Sequence, residues 1–68
     1  SRNIAYARHV AIYLCRQMID IPYNDIGKRF NRDHSTIMSS VEKIEKKTKE
    51  SRELQEELEI IIKNIREN

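Results

Sequence analysis

The sequence predicts an all-α fold, and three observations carry that expectation. One Gly and one Pro among 68 residues leave few turn signals. Apolar residues recur at spacings of three and four rather than two. Asp33 and Ser51 are well-chosen caps for the helices that would follow them. The architecture expected is a small helical domain containing a helix-turn-helix at about 22–47, with a long C-terminal helix packed on it.

The first helix is expected from about Asn3 to Ile19. Ile4, Ala7, Ala11, Leu14 and Met18 fall on one helical face, which Val10 widens. The second is short, roughly Tyr23 to Phe30. Pro22 fits its entrance, Asp25 in its first turn suits the helix dipole, and Ile26 and Phe30 form its inner pair. Asn31-Arg32 breaks the pattern, and Asp33 caps a third helix from about His34 to Lys47. Its inner face is Ile37, Val41 and Ile44; its outer face carries Ser35, Ser39, Glu42 and Lys46. A fourth helix is expected from near Ser51 to about Arg66, with Leu54, Leu58, Ile61 and Ile65 as its stripe and Ile62 beside it. Lys46 to Ser51 is the expected bend, and a continuous helix is the alternative.

Composition removes several function classes. One Cys excludes an internal disulfide framework, and no Cys/His cluster has zinc spacing. A lone Gly leaves no glycine-rich phosphate loop or dinucleotide fingerprint. No apolar run approaches the length of a membrane span, and no secretory signal opens the chain. The chain opens at Ser1 without Met, which reads as a fragment or a processed form. The net charge of +2 hides an asymmetry. Residues 1–47 carry a net +4 and residues 48–68 a net −2. The first part is therefore suited to face a polyanion while the tail remains a solvated helix.

The centre of the chain is the most informative part. A short helix with Ile26 and Phe30, a tight turn, then a helix with Ile37 and Val41 is helix-turn-helix spacing. Gly27 falls where the two helices approach closely. In this motif the second helix enters the major groove, with its N-terminal residues on the base edges. Here those residues are Asp33, His34, Ser35 and Thr36. A carboxylate can accept from cytosine N4, and a hydroxyl can serve several bases or a phosphate. A three-helix core with a capped turn would have the same spacing, and Asp33 would cap the helix in either case. His34 has no partner ligand for a metal. Neither His34 nor Ser35 has the rest of a catalytic triad in an identifiable arrangement, so no enzyme activity is expected.

Arg8, His9 and Arg16 fall within an arc of about 100° on the first helix, away from the Ile4/Ala11/Met18 face, with Ile12 between the two arginines. Such a stripe behind a helix-turn-helix can clamp phosphates; an ordinary solvated face is the alternative. Lys28, Arg29, Arg32 and Lys43 surround the third helix. Cys15 reads as a packing residue, and Tyr6, Tyr13 and Tyr23 are too scattered for a single-strand stacking platform. The Leu54 to Ile65 stripe, flanked by Glu, has a rival reading as a coiled-coil seam or a helical protein-interaction module. Three heptads are barely present, and a helix closing a small core fits better.

The runs ARHVAIYLCRQM and DIGKRFNRDHSTIMSSVEKI resemble the C-terminal DNA-binding domain of the DnaA family of bacterial chromosomal replication initiators. The resemblance covers almost the whole chain, and the RDHST run after IGKRF is its specific part. It implies a cytoplasmic, nucleoid-associated helix-turn-helix domain that binds double-stranded DNA at nine-base-pair DnaA boxes of the replication origin. By the same resemblance Asp33, His34 and Ser35 would touch bases in the major groove, with Tyr23 and Asn24 near thymine methyls. Thr36, Arg8, His9, Arg16 and Lys43 would hold phosphates. No cofactor is expected here, since ATP belongs to the family's upstream AAA+ domain, which these residues do not include. The isolated domain is expected to be monomeric, and acidic phospholipids enter as partners only through the resemblance.

Three departures accompany it. Phe30-Asn31-Arg32 is one residue shorter than the family's usual Phe-Gly-Gly-Arg. Asn tolerates positive φ, so Asn31 is expected to take the glycine's role. Ser35 stands where many members have Thr, which removes one methyl available to a thymine. The family's minor-groove arginine lies in a basic loop just before this domain, and Arg2 does not align with it, so that readout is expected to be truncated away.

Overall fold

The computed structural model describes residues 2–67, with side chains from Ile4 onward. The expectations placed on Ser1 and on the Arg2 side chain lie outside the described residues. The described chain forms four helices: α1 (Arg2–Met18), α2 (Tyr23–Phe30), α3 (His34–Glu50) and α4 (Arg52–Glu67). The all-α expectation holds, with α2 and α3 forming the helix-turn-helix. α3 is the central element, packing against α1, α2 and α4, and α1 also touches α2.

Local chemistry sets each boundary. Pro22 is the N-cap of α2 in extended conformation, and its carbonyl accepts from the Asp25 and Ile26 amides at 3.0 and 3.2 Å. α2 ends at Asn31, a residue in the left-handed region with φ 54°. The amides of Asn31 and Arg32 both donate to the Gly27 carbonyl, Arg32 at 2.9 Å, which satisfies an otherwise orphaned acceptor of the last turn. Asp33 then caps α3, its side chain accepting from the Thr36 amide at 2.8 Å. α3 runs one turn beyond the expected Lys47, so the expected bend shrinks to the single extended residue Ser51. The Ser51 hydroxyl oxygen accepts from the Leu54 amide at 3.1 Å and starts α4.

Ile12, Ile26, Ile37 and Val41 are the buried centre of the core, with Tyr13, Cys15, Ile21, Tyr23 and Phe30 packed around it. Ile44 and Leu58 extend the core toward α4. Two expected faces are corrected. On α1, Ile4 is 66% exposed and Ala7 is exposed, whereas Ile12 is fully buried. The helix is therefore rotated so that its Ile12 side meets α3. On α4, Leu58 is buried and Leu54 and Ile62 are half-buried, while Ile61 and Ile65 are exposed. The packed line is Leu54, Leu58 and Ile62, spaced by four, which follows one helical row without drifting to Ile61 and Ile65. Among the described residues, no helix is long and apolar enough to cross a membrane.

Candidate nucleic-acid interface

The rotation of α1 changes the setting of its basic residues. Arg8 and Arg16 lie one turn before and after Ile12, so they border the α1–α3 contact and do not stand on a remote face. Arg8, His9 and Arg16 are all half-buried. His9, Thr36 and Lys43 share one surface with Ser35, and Arg16 approaches His34 through the Tyr23 ring.

At the start of α3, Asp33, His34, Ser35 and Thr36 are all exposed. Asp33 uses Oδ1 for two bonds, from the Thr36 amide at 2.8 Å and from the Ser35 hydroxyl at 3.2 Å. The bond from the Thr36 amide, followed by the Thr36 and Ser35 side chains, holds the Asp33 carboxyl below its ordinary range. The carboxylate is therefore charged at neutral pH, and the cap fixes the backbone from which His34 and Ser35 project. Arg32 folds back on the turn, donating from Nη1 to the Asn31 carbonyl at 3.0 Å.

Two shallow depressions flank this helix start. One is lined by Asn24, Lys28, Asn31, Arg32, Asp33 and His34, with the buried Gly27 as its floor. The other is lined by His9, Ser35, Thr36, Ser39, Ser40 and Lys43, with three exposed hydroxyls and an exposed lysine. This second surface suits an anion through the Thr36 and Ser39 hydroxyls and the Lys43 ammonium, while the Ser35 hydroxyl is already given to Asp33 and that of Ser40 is paired with His9. His9 Nδ1 sits 2.8 Å from the Ser40 hydroxyl oxygen. Burial lowers the His9 pKa from its ordinary 6.5, and the positive charges of Lys43 and Arg8 lower it further. The neutral ring is the favoured form near pH 7, with Nε2 left for another partner.

Arg16 is differently engaged. Its Nη1 donates to the Ile21 carbonyl at 2.8 Å, and its guanidinium carbon lies 4.5 Å from the centroid of the Tyr23 ring. Tyr23 is half-buried and packs on the core, while Asn24 beside it is exposed. Sequence reasoning missed Ser40. The signal was present, because Ser40 lies three residues after Ile37 and four before Ile44 in the inner stripe of α3. A hydroxyl there is 1% exposed and has to find a partner. Among the described residues no group of three or more His, Cys, Asp or Glu is arranged to hold a metal.

Comparison with known proteins agrees with this geometry. Residues 1–44 match the family model described as bacterial dnaA protein helix-turn-helix. The chromosomal replication initiator protein DnaA of Lachnoclostridium phytofermentans is 46% identical over 66 residues, covering 96% of this chain and 15% of that protein. The DnaA of Onion yellows phytoplasma is 43% identical over 58 residues, covering 85% of this chain and 11% of that protein. DnaA 1 of Chlamydia pneumoniae is 42% identical over 66 residues, with 96% and 14% covered. The chain thus spans between about one ninth and one seventh of the length of these relatives. Matched over more than half its length, with an N-capped α3 behind a tight turn, the chain belongs to the bacterial DnaA helix-turn-helix family.

Proposed function

We propose that this chain binds double-stranded DNA at DnaA boxes of the bacterial replication origin, as the DNA-reading part of a replication initiator. The observation that carries the reading is the exposed start of α3, where His34, Ser35 and Thr36 follow the cap of Asp33. This helix end would enter the major groove. His34 and Ser35 would meet base edges, and Asp33 would keep Oδ1 in the cap while offering Oδ2 to a cytosine amine. Tyr23 and Asn24 would border the same groove from α2. Arg8, His9, Thr36 and Lys43 would hold phosphates on one side, with the remaining donors of Arg16 on the other.

The domain would act as a monomer in the nucleoid and make no covalent change in its ligand. Titration of the chain against a DnaA-box duplex and a scrambled duplex at the same stated salt tests the reading. Tighter binding to the box supports it, by at least tenfold on the scale of a few base contacts. Equal binding to both duplexes overturns it.

A further inference from the structure

We propose that Tyr23 is a positioning residue for His34, itself held by Arg16, so that selectivity at the start of α3 depends on a side chain of α2. The inference rests on the duplex-binding reading above.

Arg16, Tyr23 and His34 form a continuous stack across three helices. The Arg16 guanidinium lies over the Tyr23 ring at 4.5 Å and is pinned by its 2.8 Å bond to the Ile21 carbonyl. That carbonyl belongs to the connection that leads into α2, so the guanidinium fixes both the connection and the ring. The Tyr23 and His34 rings then meet nearly at right angles, at 87°, with centroids 5.8 Å apart. A perpendicular pair at this distance is an attractive geometry, because the positive edge of one ring meets the negative face of the other. A cation over the ring adds a second electrostatic contact to the same side chain.

His34 needs such a neighbour. It is exposed at the first residue of α3, and the Asp33 cap fixes its backbone without restraining its ring. A base-edge hydrogen bond requires a fixed ring plane, and a ring already held loses less freedom on binding. Phosphate contacts have no such requirement, so loss of the stack should weaken box binding more than general duplex binding.

The test uses the whole chain with Tyr23→Leu and Tyr23→Phe. Leucine keeps an apolar side chain for a thymine methyl but removes the ring; phenylalanine keeps the ring and removes the hydroxyl. Tyr23→Leu should lower the box-over-scrambled preference about fivefold, the scale of one aromatic pair. Tyr23→Phe should recover most of that preference. In the DNA-free protein, the ring-proton resonances of His34 should move in the Leu variant and stay near the original in the Phe variant. Melting curves report whether each variant is folded. If Tyr23→Leu does not fold, Arg16→Lys decides: it keeps the charge but not the flat stack, and should lower the preference about twofold. A preference that survives the loss of the ring, or is lost equally in the Leu and Phe variants, overturns the inference while leaving the duplex reading intact. Equal binding of both duplexes by the unaltered chain overturns the duplex reading and the inference with it.

Discussion

His9 on α1 and Ser40 on α3 are joined by a 2.8 Å hydrogen bond that ties the helix expected on phosphates to the helix expected on bases. Ser40 is buried, and the imidazole gives its hydroxyl a partner without a water or a charge in the core. The bond also makes the interface sensitive to pH. Burial, then Lys43 and Arg8, hold the His9 pKa below 6.5 in the free domain. A phosphate beside the ring would offset those positive charges and favour the protonated form. DNA affinity should therefore rise as pH falls through the histidine range, for box and scrambled duplexes alike. Folding stability should change in the opposite direction. Because the folded-state pKa is depressed, the contribution of His9 is present above about 6.5 and is lost as pH falls through the lower folded value. Duplex titrations between pH of about 5.5 and 7.5 read the first effect, and urea melts over the same range read the second. His9→Gln cannot titrate and should flatten both trends; trends that persist in that variant would show that His9 is not their source.

Gly27→Ala should destabilise the domain. Alanine normally gains about 1 kcal/mol over glycine inside a helix. Here an added Cβ would lie 2.5 Å from the Arg32 carbonyl oxygen, a backbone atom of the turn. The Gly27 carbonyl also holds the Arg32 amide, so the turn cannot recede without loosening that bond. The clash outweighs the propensity gain, with a net loss of about 1–2 kcal/mol by urea denaturation. An unchanged or raised midpoint would mean that the two helices separate freely at this crossing.

Asn31 separates conformational cost from side-chain contacts. At φ 54° a residue with a Cβ is disfavoured, and Asn is among the few that tolerate it. Asn31→Gly should match or exceed the original stability, whereas Asn31→Ala should lose about 1 kcal/mol. The order of three denaturation midpoints checks this. Alanine equal to glycine would show that the left-handed turn carries no cost here.

The helix-turn-helix was legible because its determinants are local. Asp33 as cap, Asn31 at the left-handed position and the Ile26, Phe30, Ile37, Val41 spacing all depend on neighbours within one or two turns. The orientation of α1 was not legible. Ile4, Ala7, Ala11, Leu14 and Met18 make the more continuous apolar face, yet Ile12 is the residue in the centre of the core. Its flanking arginines hid it, since a residue between Arg8 and Arg16 looks solvated until a packed helix turns those long side chains along the edge. The same limit applies on α4, where Ile61 and Ile65, expected in the stripe, are exposed and Ile62, expected beside it, is half-buried. Which row is used depends on where α4 crosses α3, and no spacing records that. At the candidate site, the capped and exposed start of α3 after Asp33 was legible, whereas the Ser40 link and the engagement of Arg16 with Tyr23 arise only from tertiary packing.

That rotation of α1 has a direct stability test. Ile12→Ala should cost about 2–5 kcal/mol, the range for emptying a well-packed isoleucine site. Ile4→Ala should cost under about 0.5 kcal/mol, as expected at an exposed position. Denaturation of the two variants side by side compares the buried Ile12 with the 66% exposed Ile4. Comparable losses would return Ile4 to the inner face of the helix.

Arg8 and Lys43 test whether the border of the α1–α3 contact reaches DNA. Arg8 is half-buried and Lys43 exposed, and both place positive charge close enough to His9 to lower its pKa. Such a cluster strengthens an anion site and would otherwise repel itself. Replacing either residue with Ala should weaken box and scrambled duplexes by similar factors, because counterion release does not depend on sequence. The slope of log affinity against log salt should fall by about one unit for each phosphate no longer neutralised. The His9 pKa should meanwhile move back toward its ordinary value, since one of the two charges that lower it has gone. A reduced slope with an altered box preference would instead make the residue a base reader. An unchanged slope in both variants would leave these side chains in solvent and move the phosphate track to the other flank of α3, beside Lys28 and Arg32.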